Sequence, residues 1–274
     1  MKFAVIGKDV SKSLSPKMHS FILRQMGKES VYDAISLSEE DFPHKIEALL
    51  DEYDGLNVTI PYKESIMKYL VFFKGDAAKF GAVNTVVNRK RMGYNTDGFG
   101  FTALMAGEGL PLKRKTVLVL GAGGAGRCCI KTLMAAKADV HVYERELSRL
   151  KAVYSEFGGF APYTAVPDCR FDIIVNCTGI GMHDTEGYAP VVPTRSGQNI
   201  LPSLLSKCGA AVDLIYEPKQ SEFLRIADGF HRQTANGMAM LFYQAYAADC
   251  IFFDKLPDVE TANRLWRRYR EVNA

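Results

Sequence analysis

Three observations predict an α/β chain in which an N-terminal α/β unit is followed by a Rossmann-type, doubly wound parallel sheet. Strand-like apolar runs alternate with helix-like runs through the first hundred residues. From Lys115 a second alternation begins, and its strands are continuously apolar, as in parallel sheets covered on both faces. Within it, KTVLVLGAGGAG at 115–126 runs from a strand straight into a glycine-spaced turn and a helical segment. Gly121 suits a tight turn, Gly123 a close backbone approach to a pyrophosphate, and Gly126 close packing of helix on strand. The helix that follows presents unpaired N–H groups and the positive end of its dipole to phosphate.

Taken in order, KFAVIG reads as the opening strand. A helix follows from Pro16 to Met26, with Ser15 as N-cap, proline at the first helical position and Gly27 as the stop. VYDAISL is a strand, KIEALLDEY a helix, and LNVTI and AVNTVVN two further strands. Segment 97–110 forms the helix that joins the units. VHVYE, FDIIVNCTG and AAVDLIY continue the second sheet, and helices over 236–253 and 258–272 close the chain. The expected division is 1–100, 101–236, and a C-terminal segment 237–274 returning to the first unit.

A net charge of +3 on 274 residues, with no Lys/Arg block, gives no electrostatic case for nucleic acid or a membrane surface. The first residues reach charge after a few apolar positions, so they read as a strand rather than a secretory signal, and the cytoplasm is the expected compartment. Cys128, Cys129, Cys169, Cys177, Cys208 and Cys250 lack CxxC spacing and read as reduced thiols. His19, His44, His141, His183 and His231 lack ligand spacing, so no metal is expected. The apolar stretch Met238 to Phe253 carries Gln244 and Asp249 and reads as a core helix.

Polar clusters interrupt the apolar pattern at predicted strand ends, where open α/β sheets place ligands. They are SKSLSP at 11–16, NVTIPYK at 57–63, GAVNT at 81–85 and NTDGFG at 95–100. With GAGGAG, NCTGIGM at 176–182, DLIYEP at 213–218 and NGMAMLFYQ at 236–244, they resemble the shikimate dehydrogenase family over essentially the whole chain.

The resemblance implies an N-terminal substrate domain, a dinucleotide domain and reversible hydride transfer between a nicotinamide cofactor and C3 of shikimate. Quinate, or quinate and shikimate together, is the alternative substrate, and a catalytically silent dinucleotide-binding regulator is the alternative of another class. The implied catalytic pair is Lys63 and Asp97, with Lys63 as acid/base and Asp97 orienting it. Desolvation of the lysine and attraction by the carboxylate pull its proton in opposite directions, so the sequence leaves open which residue holds it. Ser13 and Ser15 match serines that hold the substrate carboxylate. Thr59, Asn84, Asn95 and Gln244 match positions that bind ring hydroxyls, which amides serve with donor and acceptor together. Tyr216 matches a tyrosine that closes over the substrate.

Implied cofactor residues are Gly121, Ala122, Gly123, Gly124, Ala125, Gly126, Glu144, Arg145, Thr178 and Gly237. Glu144-Arg145-Glu146 departs from the Asn-Arg-Thr common in members that use the phosphorylated cofactor. A carboxylate accepts hydrogen bonds from a free ribose 2′-hydroxyl and repels a 2′-phosphate, so NAD is expected in preference to NADP, with Arg145 offsetting that repulsion. A monomer or homodimer is expected.

Overall fold

The computed structural model describes residues 1–273, which divide into two compact units. The first comprises Met1–Ala103 with the chain from Leu241 on, and the second comprises Leu104–Met240.

In the first unit, β1 (Lys2–Gly7), α1 (Ser15–Gln25), β2 (Val31–Ser36), α2 (Asp41–Glu52) and β3 (Gly55–Val58) form a parallel βαβαβ core. Then follow β4 (Phe72–Phe73), α3 (Ala77–Phe80), β5 (Thr85–Val87), β6 (Met92–Tyr94) and α4 (Asp97–Gly107). The sheet order is β2-β1-β3-β5-β6-β4, and β5 runs antiparallel to both β3 and β6. That reversal sets Asn84, just before β5, near Asp97, just after β6.

One end of α1 departs from expectation. Ser15 is the first helical residue and caps nothing; the cap position is Leu14, with no side-chain cap. The Ser13 hydroxyl accepts the Ser15 N–H instead, at 3.2 Å. An oxygen two residues upstream reaches that amide, whereas the Ser15 oxygen is carried into the helix. The other end behaves as the glycine suggests. Gly27 has φ +69°, and Lys28 N–H to Leu23 O and Gly27 N–H to Arg24 O close the last turn.

The second unit holds β7 (Thr116–Leu120), α5 (Gly124–Ala135), β8 (Asp139–Tyr143), α6 (Leu147–Phe157), β9 (Ala161–Tyr163) and β10 (Ile173–Asn176). It continues with α7 (Leu201–Lys207), β11 (Ala210–Asp213), α8 (Glu222–Gly229) and β12 (Gln233–Ala235). Its six strands are all parallel in the order β12-β11-β10-β7-β8-β9. The order reverses between β7 and β10, so ligands are expected beyond the carboxyl ends of those strands. Strand period 2 sends Leu118 and Leu120 to one face, where they join Leu201, Leu204, Leu205 and Phe223 in a buried cluster. Each such leucine stabilises the sheet by roughly 1.5–3 kcal/mol through removal from water.

α9 (Met238–Phe252) and α10 (Val259–Val272) complete the chain. Ala248 and Phe252 of α9 pack on Phe3 and Val5 of β1, and the Phe3 and Phe252 rings stack with centroids 4.5 Å apart. Among the described residues no helix is long and apolar enough to cross a membrane, no cluster of three or more metal-ligating side chains occurs, and none of the six cysteines forms a disulfide.

Candidate active site

In the first unit, Lys63 Nζ donates to Asp97 Oδ2 at 2.6 Å, with the two side chains 27% and 15% exposed. Lys63 follows β3 and the turn in which Tyr62 N–H bonds to Thr59 O, and Val83 N–H bonds back to Lys63 O at 2.7 Å. Asp97 opens α4, and its amide is held by Asn95 Oδ1 at 3.0 Å. Asn95 Nδ2 donates to Ala82 O at 2.9 Å, so both ends of that amide are engaged with backbone. Asn84 Nδ2 lies 2.9 Å from Asp97 Oδ1, 2.9 Å from Thr96 Oγ1 and 3.4 Å from Gln244 Oε1. Lys63, Asp97, Asn84 and Gln244 thus form one connected polar cluster, although Gln244 comes from the far end of the chain. Thr59 is half-buried beside Gly7, and Ser13 and Ser15 open α1.

In the second unit, Gly121 takes φ +92°, a backbone conformation open to glycine. Gly123 is the α5 N-cap and supplies no side-chain bond, leaving the first amides of the helix, at Gly124 and Ala125, free of a side-chain cap. A Cβ on Gly126 would lie well under 3.0 Å from Gly121 O, whereas nothing stands within 4 Å of the Cβ positions of Gly123 and Gly124. The turn is therefore closed on its inner side and open on its outer side, a cradle that fits a pyrophosphate. The same cleft is lined by Glu144, Arg145, Arg149 and Thr178. Gly237 meets a different constraint: its Cβ would overlap Leu214 O, which makes it a close-packing glycine at the start of α9.

Glu144 does not present a free carboxylate. It is 5% exposed, its Oε2 accepts the Ala122 N–H at 2.9 Å and its Oε1 accepts the Glu146 N–H at 3.0 Å. Arg149 reaches both Glu144, at 3.6 Å, and Glu146, at 2.9 Å. Burial opposes its ionisation, but the two amides and Arg149 outweigh burial and hold the carboxyl below the usual range. Arg149 is a residue that sequence reasoning missed; the available signal was its position one helical turn beyond Arg145, at the start of α6.

Three further residues support the cleft. Asp213 accepts from Ser221 Oγ, Ile215 N–H and Asn176 Nδ2, while Asn176 Oδ1 receives the Thr178 N–H and hydroxyl. This chain of bonds ties Thr178 to the loop that carries Tyr216. Burial pushes Asp213 up to about 6, against the pull of its three donors. A carboxyl raised above its unfolded value binds its proton more tightly when folded, so its stabilising contribution is present at low pH and is lost as pH rises through about 4 to 6. The stability of the wild type relative to Asp213→Asn should accordingly fall by up to roughly 3 kcal/mol across that window. Urea unfolding of both proteins at pH 4 and pH 6.5 reads this, and a pH-independent difference would contradict it.

A parallel sheet with a glycine cradle at its switch point, on a chain whose other unit presents a lysine–carboxylate pair amid amides, defines a two-unit dinucleotide-dependent oxidoreductase. Similarity to known proteins narrows this. Residues 5–86 match the shikimate dehydrogenase substrate binding domain, and residues 104–182 match the shikimate / quinate 5-dehydrogenase family. A shikimate dehydrogenase (NADP(+)) of Thermus thermophilus is 36% identical over 271 residues, 98% of each chain. The solved shikimate 5-dehydrogenase of that organism, in complex with NADP(H) and shikimate, superposes with TM-score 0.84 at 34% identity, covering 98% of this chain and 99% of that one. A chorismate mutase/shikimate 5-dehydrogenase fusion protein of Clostridium acetobutylicum superposes with TM-score 0.87 at 31% identity, covering 98% and 97%. The chain belongs to the shikimate dehydrogenase family.

The relatives are named for NADP(+), which overturns the expectation that NAD is preferred. The physical reason lies in how Glu144 is used. Its charge is consumed by two loop amides and Arg149, so it shapes the turn rather than opposing a 2′-phosphate. Arg145 and Arg149 balance Glu144 and Glu146 in number, which removes the excess negative field that the expectation required.

Proposed function

We propose that this protein catalyses the reversible, NADP-dependent oxidation of shikimate to 3-dehydroshikimate. The observation that carries the reading is the 2.6 Å Lys63–Asp97 pair, anchored by Asn84. When bound, NADP supplies the acceptor for the hydride that leaves the carbinol carbon. It is held by Gly121 to Gly126, the α5 amides and Thr178, with Arg145 and Arg149 as the donors suited to its 2′-phosphate.

Lys63 Nζ takes the hydroxyl proton during oxidation and returns it during reduction. Asp97 aligns the amine and stabilises its charged form. Thr59, Asn84 and Gln244 hold ring hydroxyls, and Asn95 contributes by fixing the start of α4. Ser13 and Ser15 hold the substrate carboxylate: Ser13 Oγ accepts the Ser15 amide and so keeps its own proton available to donate. Tyr216 is assigned to the substrate by its family position.

The serines separate binding from folding and test the carboxylate assignment. Ser15→Ala should weaken shikimate binding by roughly 1–3 kcal/mol, the cost of leaving a charged acceptor short of a donor, with little change in Tm because Ser15 is not a cap. Ser13→Ala should weaken binding similarly and also lower Tm, through loss of the acceptor for Ser15 N–H. A lowered Tm with unchanged KM in Ser15→Ala would contradict both statements.

A further inference from the structure

Behind the Lys63–Asp97 pair runs a line of buried hydrogen bonds that the proton-transfer scheme does not use. Tyr32 hydroxyl donates to Asn57 Oδ1 at 2.7 Å, and Asn57 Nδ2 donates to Thr85 Oγ1 at 3.1 Å. Thr85 Oγ1 donates to Asn84 Oδ1 at 2.9 Å, and Asn84 Nδ2 donates to Asp97 Oδ1 at 2.9 Å. Asn57 Nδ2 also reaches Asn84 O at 3.2 Å. Tyr32, Asn57 and Thr85 lie on β2, β3 and β5 of one sheet, Asn84 lies directly before β5, and all four are buried.

The direction of this line follows from inventory. A threonine hydroxyl has one proton, and the Asn57 amide points a donor at Thr85 Oγ1, so that proton is free to go to Asn84 Oδ1. Asn84 Oδ1 also receives the Thr96 N–H at 2.9 Å, which has no other role available to it than donor. With its oxygen committed to these donors, the Asn84 amide has one orientation, and that orientation turns its NH2 toward Asp97. The reversed amide would set two oxygens against each other at the Asp97 carboxylate and leave Thr96 N–H facing an NH2.

We propose that Asn57 and Thr85 are positioning residues for proton transfer: they lock the Asn84 amide donor-first onto Asp97, which in turn holds Lys63. The proposal rests on the reading of Lys63 and Asp97 as the proton-transfer pair. Every link runs donor to acceptor toward the carboxylate, so each bond polarises the next. Tyr32 forms the remote end of the line, and its ring is fixed by stacking on His19 with centroids 4.2 Å apart. His19 is itself buried against Asp249, with Nδ1 to Oδ1 at 2.7 Å.

The test compares Thr85→Val, which keeps the shape and removes the hydroxyl, with Thr85→Ser, which keeps the hydroxyl. In initial-rate assays with shikimate and NADP, Thr85→Val should lower kcat about tenfold, the scale of one buried hydrogen bond, without moving KM for NADP. Thr85→Ser should restore most of that loss. Tyr32→Phe, which leaves the stacked ring in place, should lower kcat in the same direction by a smaller factor and serves if Thr85→Val fails to fold. Wild-type kcat in Thr85→Val or in Tyr32→Phe would overturn the proposal. So would a Thr85→Ser protein as impaired as Thr85→Val, because the role would then be packing. Failure of the underlying reading looks different: Lys63→Ala would turn over shikimate as fast as wild type.

Discussion

Lys63→Ala lowers kcat for shikimate oxidation by roughly 10²- to 10⁴-fold while moving KM far less, the expected signature of a proton-transfer group. Lys63 Nζ is 2.6 Å from Asp97 Oδ2 and only partly exposed, so the amine is held in place rather than waving in solvent. In the proposed reading the serines at the start of α1 and the amides around Asn84 grip the substrate, so ground-state binding should stay largely intact when the amine is removed. Removing Lys63 also leaves Asp97 without its cation, but Asn84 Nδ2 and the start of α4 still hold that carboxylate, so the fold should survive. Unchanged kcat with a raised KM would make Lys63 a binding residue and return the proton to Asp97 or water.

Gly126→Ala abolishes measurable NADP binding. A methyl at position 126 would sit well under 3.0 Å from Gly121 O, inside van der Waals contact, and the obstacle is backbone rather than a side chain that could turn away. To relieve it, the turn must open or α5 must withdraw from the end of β7. Either movement spreads the amides proposed to hold the pyrophosphate and disturbs the Ala122 N–H to Glu144 bond. Alanine is otherwise the better helix residue by about 0.8–1 kcal/mol, so any loss reports the clash and not propensity. Isothermal titration with NADP, checked against Tm, reads the effect; wild-type affinity would show that the glycine spacing is not what forms the cradle. Gly123→Ala is the internal control, because its Cβ meets nothing within 4 Å and any loss of affinity there is caused by the ligand's own approach.

The central strands of both sheets and the glycine turn were legible because each is local: strand alternation and a glycine spacing lie within a few residues. What was not legible depends on distant partners. β4 is two residues long and β6 three, too short to show alternation, and they exist because β5 offers a pairing edge to β6 and β6 offers one to β4. The sequence shows only that His19 lacks ligand spacing; its partner, Asp249, lies 230 positions away, and the two are fully buried together.

The cofactor error had the same origin. Glu144 is an acid at the place where acids meet ribose, but its partners are the backbone amides of Ala122 and Glu146, which no residue type announces. Ser15 was misplaced by one step, since proline at 16 marks the first turn and both Ser13 and Ser15 are good caps by composition.

In the proposed reading Lys63 and Asp97 serve shikimate oxidation with NADP as the cofactor. Initial rates of the unmodified protein with shikimate and with quinate, each with NADP and with NAD, test it most directly. The highest kcat/KM is expected for shikimate with NADP. Absence of shikimate turnover with either cofactor, or a higher kcat/KM with NAD than with NADP, would contradict it.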